Sequence, residues 1–412
     1  MTQPGRPRLR VPEPPARPGQ SPRFDHIPMS PAGAVGCPPI DVDPADTKPF
    51  AYQLIRILDD AGKAVGPWAD YLGNVDADVL RRGLRDMMKT RFLDKRMLLA
   101  HRQGKTTNYA ASTGEEAITC GFQRMLSPGD MNFPTYRQQG LLVASGYPLE
   151  KFMGLQFGND LDPVEGKNLP PMISARDYGY FTISGNLATQ YVQSVGWAMA
   201  SAISGDDKVA AGWIGDGAAA EGDFHSALLY ASVYRPPAVL NLINNQWAIS
   251  SFVGIAGGHV PLACRAHGYG LASIRVDGND FLAVMAAAKW AIARARQGHG
   301  AILIEWVTYR AAAHSTSDDP TVYRPKEEAA AWPLGDPIER LKQHLVAIGE
   351  WSDERHAQAQ GEVEEEILGL QKLAESHGTM IGGGSAPLSA IFEKVYKDMP
   401  EHIRRQRQKA GI

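Results

Sequence analysis

Residues 209–250 read VAAGWIGDGAAAEGDFHSALLYASVYRPPAVLNLINNQWAIS, and this stretch decides the fold. Its first apolar run, residues 209–214, is short enough for a buried strand, and glycines follow it. Residues 218–234 combine good helix formers and end before two prolines, which predicts a helix. A second apolar run, residues 239–243, predicts the next strand. A strand, a helix and a strand in this space predict a right-handed βαβ unit with parallel strands.

Two oxygen-bearing side chains follow these predicted strands. Asp216 comes directly after the first strand, and Asn245 comes after the second. Because parallel strands end at one edge of the sheet, where ligands of open α/β sheets bind, the two should be neighbours. A carboxylate and an amide oxygen suit Mg²⁺, which completes its coordination with phosphates and water. Gly217 allows close backbone approach, and the helix after it should direct free N–H groups at an anion. The sequence therefore predicts a metal-bridged diphosphate site.

Other interpretations of the same residues exist. Gly-Asp-Gly and Asn-Asn are common as a plain turn and a plain strand end. Residues 215–220, GDGAAA, also fit the dinucleotide fingerprint G-x-G-x-x-A. That fingerprint needs an acidic residue at the end of the second strand, where this chain has Asn244 and Asn245. The carboxylate of Asp216 would also repel a pyrophosphate without a cation between them. The metal site is favoured, with a nicotinamide-dependent dehydrogenase and a non-catalytic scaffold as alternatives.

Composition narrows the class of protein. The 412 residues carry a net charge of −3, which gives no general attraction to nucleic acid or to a membrane. Three widely spaced cysteines, Cys37, Cys120 and Cys264, fit no zinc pattern and indicate a reducing cytoplasm. No apolar run approaches a membrane span, and the N-terminus lacks the apolar segment of a secretion signal. A mitochondrial matrix location is the alternative to the cytoplasm.

Three segments are expected along the chain. Residues 1–75 form a proline-rich N-terminal arm, in which residues 52–58 predict one strand of a short pair. Residues 76–330 alternate helical and apolar strand patterns, which predicts an α/β domain with a mostly parallel sheet. Residues 331–412 are charged and helical, and they predict a C-terminal appendage used for packing and contacts.

The motifs resemble a known family. GDGAAAEGDFH at 215–225, followed by NNQWAIS at 244–250, resembles the thiamine-diphosphate motif in alpha subunits of 2-oxoacid dehydrogenase decarboxylating components. GYGLASIRVDGND at 268–280 and HSTSDD at 314–319 resemble the branched-chain 2-oxoacid members. The resemblance extends from about residue 71 to the C-terminus. It implies the thiamine-diphosphate-binding fold.

The resemblance also implies site residues. Mg²⁺ would be held by Asp216, Asn245 and the backbone carbonyl of Trp247. The residues expected around the cofactor are Tyr136, Arg137, Leu187, Gly215, Gly217, Ala218, Asn245 and His314. Arg137 is also expected near an anion, because a cation at a helix start is unfavourable. The catalytic candidates are His314, Tyr136 and Arg310, and the candidates for a monovalent cation, such as K⁺, are Ser184, Thr189 and Gln190. Gly185 and Ile243 stand where animal members commonly have serine and arginine, so those two contacts are not implied.

The implied activity is oxidative decarboxylation of a branched-chain 2-oxoacid such as 2-oxoisovalerate. The acyl group would pass to the lipoyl group of a partner acyltransferase. Because the residues predict a single α/β domain, the carboxylate that activates the cofactor's pyrimidine ring should come from a beta subunit. An assembly of two alpha and two beta chains is expected. Pyruvate or acetoin is the alternative substrate.

Overall fold

The computed structural model describes residues 12–170, 172–258, 260–383 and 387–412, with only the backbone of Ala256. Its centre is a six-stranded sheet in which every neighbouring pair of strands is parallel. The strands are β1 (Leu54–Ile55), β2 (Met131–Phe133), β3 (Ala210–Gly215), β4 (Ala238–Asn244), β7 (Ala272–Asp277) and β8 (Ile302–Val307). A small hairpin joins β5 (Trp247–Ala248) to β6 (Ser251–Phe252). The order in the main sheet is β1-β7-β8-β4-β3-β2. The predicted α/β fold with a mostly parallel sheet is confirmed.

Helices cover both faces of this sheet. In chain order they are α1 (Pro67–Leu72), α2 (Ala77–Arg102), α3 (Glu116–Gln123), α4 (Gln139–Ser145), α5 (Leu149–Phe157), α6 (Thr189–Ser204), α7 (Gly222–Tyr234), α8 (Val253–Gly257), α9 (Phe281–Arg296), α10 (Pro337–Ala347), α11 (Asp353–Ser376) and α12 (Glu401–Lys409). The last three form the helical tail that the sequence predicts. In the described part of the chain, no helix is both long and apolar enough to cross a membrane.

The central βαβ unit has the predicted topology with one local difference. Strands β3 and β4 are direct neighbours, and Gly215 pairs with Ile243. Every residue of β4 is buried, which explains its continuous apolar run, because both faces of the sheet are covered. The helix predicted from residue 218 is not continuous. Gly217–Ala220 is a 3-10 helix, Glu221 is extended, and α7 begins at Gly222, a break that helix propensity alone does not reveal.

Short elements account for the other differences. The strand predicted at residues 52–58 is reduced to the two residues of β1, which pair with β7 in the main sheet. The expected strand pair of the arm is a single bridge between Leu58 and Ala64. Strand β2 and helix α5 were not predicted from the sequence. Strand β2 has three residues, too few for a periodic pattern, and α5 is apolar on most of its surface.

The arm and the tail pack on the α/β core. Val35 from the arm and Val363 and Ile367 from α11 belong to the same buried cluster as strand residues such as Ile304. Trp290 of α9 donates to the carbonyl of Pro38 at 2.7 Å. The division of the chain at residues 75 and 330 stays a prediction.

Helices α2 and α9 touch at a glycine. A Cβ on Gly83 would lie 2.4 Å from Cζ of the buried Phe281 ring. We therefore expect Gly83→Ala to lower the free energy of unfolding by about 1–3 kcal/mol through overpacking, although alanine is the better helix former. Gly361→Ala in α11, with nothing within 4 Å of its Cβ, should instead raise it by up to about 1 kcal/mol. Urea unfolding measures both, and an unchanged Gly83→Ala midpoint would contradict the close contact.

Candidate active site

The ends of β3 and β4 open into one cavity. Asp216 and Asn245 follow these strands and are 2% and 6% exposed. They lie in the wall of a cavity of about 240 Å³ together with Tyr136, Arg137 and His314. The structure therefore confirms the prediction that Asp216 and Asn245 lie close together at one edge of the sheet. Gly215, Gly217, Ala218, Leu187 and Trp247 line the same cavity.

Asp216 has one satisfied and one unsatisfied oxygen. Its Oδ1 accepts from the backbone N–H of Gly217 at 2.8 Å, whereas Oδ2 is buried without a hydrogen-bond partner. Burial raises the pKa of this carboxyl to about 6. Unpaired buried carboxylate oxygens are costly, and a bound cation would satisfy this one. The oxygen donors of Asp216 and Asn245 therefore fit a hard cation such as Mg²⁺.

Asn245 is fixed by two hydrogen bonds. Its Nδ2 donates to Oε1 of Glu115 at 2.6 Å, and its Oδ1 accepts from the backbone N–H of Trp247 at 3.3 Å. Glu115 lines the cavity and is 1% exposed, and its Oε2 has no partner. Burial raises the pKa of Glu115 to about 7, although Arg137 nearby opposes this rise. Glu115 was not among the predicted site residues, because an acid at a helix start is explained by the helix dipole alone.

The hairpin after Asn245 is held in an unusual backbone conformation. Gln246 and Ile249 have φ of 75° and 54°, which non-glycine residues rarely adopt. Arg310 holds this hairpin, because its guanidinium donates to the carbonyls of Trp247 at 2.8 Å and Ile249 at 3.0 Å. It also donates to the hydroxyl of Tyr323 at 2.6 Å. The Trp247 carbonyl has a second lone pair besides the one that accepts from Arg310.

Arg310 differs from its expected placement. It is 1% exposed and is not among the residues that line the cavity. Its donors face the hairpin and the loop after β8, so its observed contacts support the site from behind. Its predicted catalytic role stays a prediction.

Gly217 is required for a reason that differs from the expected one. A Cβ there would lie 2.5 Å from Cβ of Ala248, so the turn packs directly against the hairpin. The N–H of Gly217 is occupied by Asp216. The expected α-helix N-terminus is absent from this point, since α7 begins at Gly222 after the 3-10 helix. The free N–H groups of an α-helix are therefore not available at Gly217.

His314, Tyr136 and Arg137 form one polar wall. Nη2 of Arg137 lies 3.2 Å from Nδ1 of His314 and donates to its carbonyl at 2.8 Å. Nε2 of His314 lies 3.5 Å from the hydroxyl of Tyr136. Because guanidinium only donates, Nδ1 must accept and a neutral ring carries its proton on Nε2. His314 can therefore present an N–H donor beside Tyr136. Arg137 lies two residues before α4 rather than inside its first turn.

Of the predicted cation residues, Thr189 and Gln190 begin α6, and Ser184 lies in the loop before it. Ser184 and Gln190 line the cavity, whereas Thr189 does not and donates to the carbonyl of Asn186 at 3.1 Å. Gln190 donates to the Trp213 carbonyl at 3.0 Å, and its buried Oε1 has no partner. This free oxygen fits a cation. Leu187, between these residues, is 47% exposed at the cavity mouth.

Comparison with known proteins places this fold and site in a class. A family model described as dehydrogenase E1 component matches residues 84–380, and the chain belongs to this family. Members of the family depend on thiamine diphosphate, so the predicted thiamine-diphosphate-binding fold is confirmed. A second model, the N-terminal segment of the 2-oxoisovalerate dehydrogenase E1 alpha subunit, matches residues 5–45.

Individual relatives agree with this assignment. The 2-oxoisovalerate dehydrogenase subunit alpha of Pseudomonas aeruginosa is 54% identical over 406 residues, 98% of each chain. Its mitochondrial counterpart from Mus musculus is 33% identical over 86% of this chain and 79% of the relative. The pyruvate dehydrogenase E1 component subunit alpha of Acholeplasma laidlawii is 37% identical over 78% of this chain and 91% of the relative.

His314 should be neutral at physiological pH. Burial, followed by the positive charges of Arg137 and Arg310, lowers its pKa to about 4. NMR titration of ¹⁵N-histidine-labelled protein should show no protonation of this ring between pH 8 and 6, with His314→Gln identifying the signal. Arg137→Gln should raise the pKa of His314, because it removes one of the two cations. A titration midpoint of His314 above about 6 in the unmodified protein would contradict the buried, cation-flanked placement of this ring.

Proposed function

We propose that this protein is the alpha subunit of a branched-chain 2-oxoacid dehydrogenase, a 3-methyl-2-oxobutanoate dehydrogenase (2-methylpropanoyl-transferring). It decarboxylates acids such as 2-oxoisovalerate and supplies the acyl group to a lipoyl acceptor, in the degradation of branched-chain amino acids. The observation that carries this proposal is that Asp216 and Asn245 follow two adjacent parallel strands and line the same cavity. The 54% identity over 98% of both chains supports the branched-chain assignment.

The metal set consists of Asp216, Asn245 and the Trp247 carbonyl, which would hold Mg²⁺. Asp216 is the charged ligand of this set, and its unpaired Oδ2 supports the assignment. A divalent ion held by these residues would supply positive charge to offset the negative charge of the diphosphate. The free Oε1 of Gln190 supports a second, monovalent site with Ser184 and Thr189, for which K⁺ is the expected ion.

The remaining wall residues would orient the cofactor and substrate. Thiamine diphosphate, when bound, supplies the carbanion chemistry of decarboxylation. Arg137 and Tyr136 would face the diphosphate, with Gly215, Gly217, Ala218 and Leu187 completing the surface around the cofactor. His314 would donate from Nε2 to a neighbouring oxygen, since its Nδ1 accepts from Arg137. Arg310 would position the hairpin that it holds, and its predicted catalytic role stays a prediction.

A beta subunit and an acyltransferase are the proposed partners. The relatives carry the printed name subunit alpha, which implies a second chain. Helix α7 supports a protein contact, because its Leu229, Tyr230, Val233 and Tyr234 are exposed. Two alpha and two beta chains would close the assembly symmetrically. The bacterial relative at 54% identity favours the cytoplasm over a mitochondrial matrix.

Two other functions have weaker support. Pyruvate as the substrate is favoured by the relative from Acholeplasma laidlawii, at 37% identity, and acetoin would use the same site chemistry. Nicotinamide binding through residues 215–220 has less support, because Asn244 and Asn245 stand where a ribose-binding acid is needed.

Removal of the charged ligand should abolish cofactor binding. Asp216→Ala should eliminate Mg²⁺-dependent thiamine-diphosphate binding, and Asn245→Ala should weaken it less, since the amide carries no charge. Calorimetric titration measures both, and thermal unfolding without ligands checks that each variant is folded. Near-native cofactor affinity in folded Asp216→Ala would remove the metal assignment.

The isolated chain should not decarboxylate 2-oxoacids. With thiamine diphosphate, Mg²⁺ and an artificial electron acceptor, turnover should appear only after addition of the beta subunit. In the reconstituted protein, 2-oxoisovalerate should give a higher kcat/KM than pyruvate or acetoin. Full turnover by the isolated chain would contradict the need for a partner, and a preference for pyruvate would replace the substrate assignment.

A further inference from the structure

Glu115 is a buried carboxylate at the cavity whose role lies outside the proposed ligand set. It occupies the N-cap position of α3, yet its side chain makes no capping hydrogen bond. Instead, Oε1 accepts from Nδ2 of Asn245 at 2.6 Å, and Oε2 has no hydrogen-bond partner. The Glu115 side chain therefore bonds to another residue of the cavity wall and does not cap its own helix.

The contact between Glu115 and Asn245 determines whether the side-chain oxygen or nitrogen of Asn245 is free to face a metal ion. An asparagine side chain has nearly the same shape with its oxygen and nitrogen exchanged, so packing alone does not choose between the two orientations. In its ionised form Glu115 only accepts, so it binds the NH₂ end. The backbone N–H of Trp247 donates to Oδ1 at 3.3 Å, which selects the same orientation independently. Together these contacts turn the oxygen of Asn245 away from Glu115.

We propose that Glu115 is a positioning residue that holds the amide of Asn245 with its oxygen available to Mg²⁺. This inference rests on the proposed function and deepens it. The acceptor oxygen of Glu115, rather than its negative charge, is the property that matters. Outer partners of metal ligands typically change metal affinity by about 10–100-fold when they are replaced.

Two substitutions of Glu115 distinguish the effect of its acceptor oxygen from the effect of its negative charge. Glu115→Gln removes the charge but retains an acceptor oxygen, whereas Glu115→Leu removes both at similar volume. Glu116→Gln is the matched control, because Glu116 is also buried but pairs with Arg91 and the N–H of Gly114. Each variant is studied together with the beta subunit. Calorimetry at saturating thiamine diphosphate gives the Kd of Mg²⁺, and thermal unfolding without ligands reports on the fold.

The expected result is a Kd for Mg²⁺ raised by about 10–100-fold in Glu115→Leu. Glu115→Gln and Glu116→Gln should stay within about three-fold of the unmodified protein. At saturating Mg²⁺, the affinity of Glu115→Leu for thiamine diphosphate should recover, which a general loss of structure would not permit. If Glu115→Leu does not fold, Glu115→Ala replaces it in the same comparison.

Two results would overturn the inference. One is a folded Glu115→Leu whose Mg²⁺ affinity is unchanged. The other is a loss in Glu115→Gln as large as in Glu115→Leu, since the charge would then be responsible. An unmodified protein that binds no Mg²⁺ would instead refute the proposed function, so the two failures are distinguishable.

Discussion

Buried oxygen atoms without partners set the central constraint of this structure. Oδ2 of Asp216, Oε2 of Glu115 and Oε1 of Gln190 are all buried and unpaired near one cavity. Such oxygen atoms destabilise a fold unless a hydrogen-bond donor or a cation binds them. The surrounding elements keep these oxygens in place: two parallel strands end here, Gly217 packs against Ala248, and Arg310 holds the hairpin. A bound cation would satisfy these oxygens.

The cations around the cavity divide into two kinds. Arg137 faces the cavity, adds to burial in lowering the pKa of His314, and donates toward Nδ1 of that ring, which places the proton of the neutral ring on Nε2. Arg310 lies behind the hairpin and satisfies backbone carbonyls that a turn of this shape leaves free. The sequence does not distinguish these two arginines, and only their contacts show that Arg137 lines the cavity whereas Arg310 supports the hairpin behind it.

The sequence predicts those elements and site residues that depend on local patterns, and it does not predict those that depend on tertiary contacts. The strands β3 and β4 were predictable because a parallel sheet buried on both faces requires continuous apolar runs. Asp216 and Asn245 followed from the common edge of parallel strands. Glu115 was not predictable, because its partner Asn245 lies 130 residues away in the sequence. The break at Glu221 and the three residues of β2 likewise depend on tertiary contacts, which local propensity does not report.

The proline-rich arm has a consequence for the order of folding. Ile27 packs in one buried cluster with Trp247, Phe252 and Trp332, and His26 lies 3.3 Å from the side chain of Gln246 across 220 residues of sequence. Closing so long a loop is entropically unfavourable until the sheet between its ends exists. We therefore expect His26 and Ile27 to reach these contacts only after the sheet has formed. The hairpin after Asn245, whose Trp247 and Phe252 belong to the same cluster as Ile27, would gain that support only at this late step.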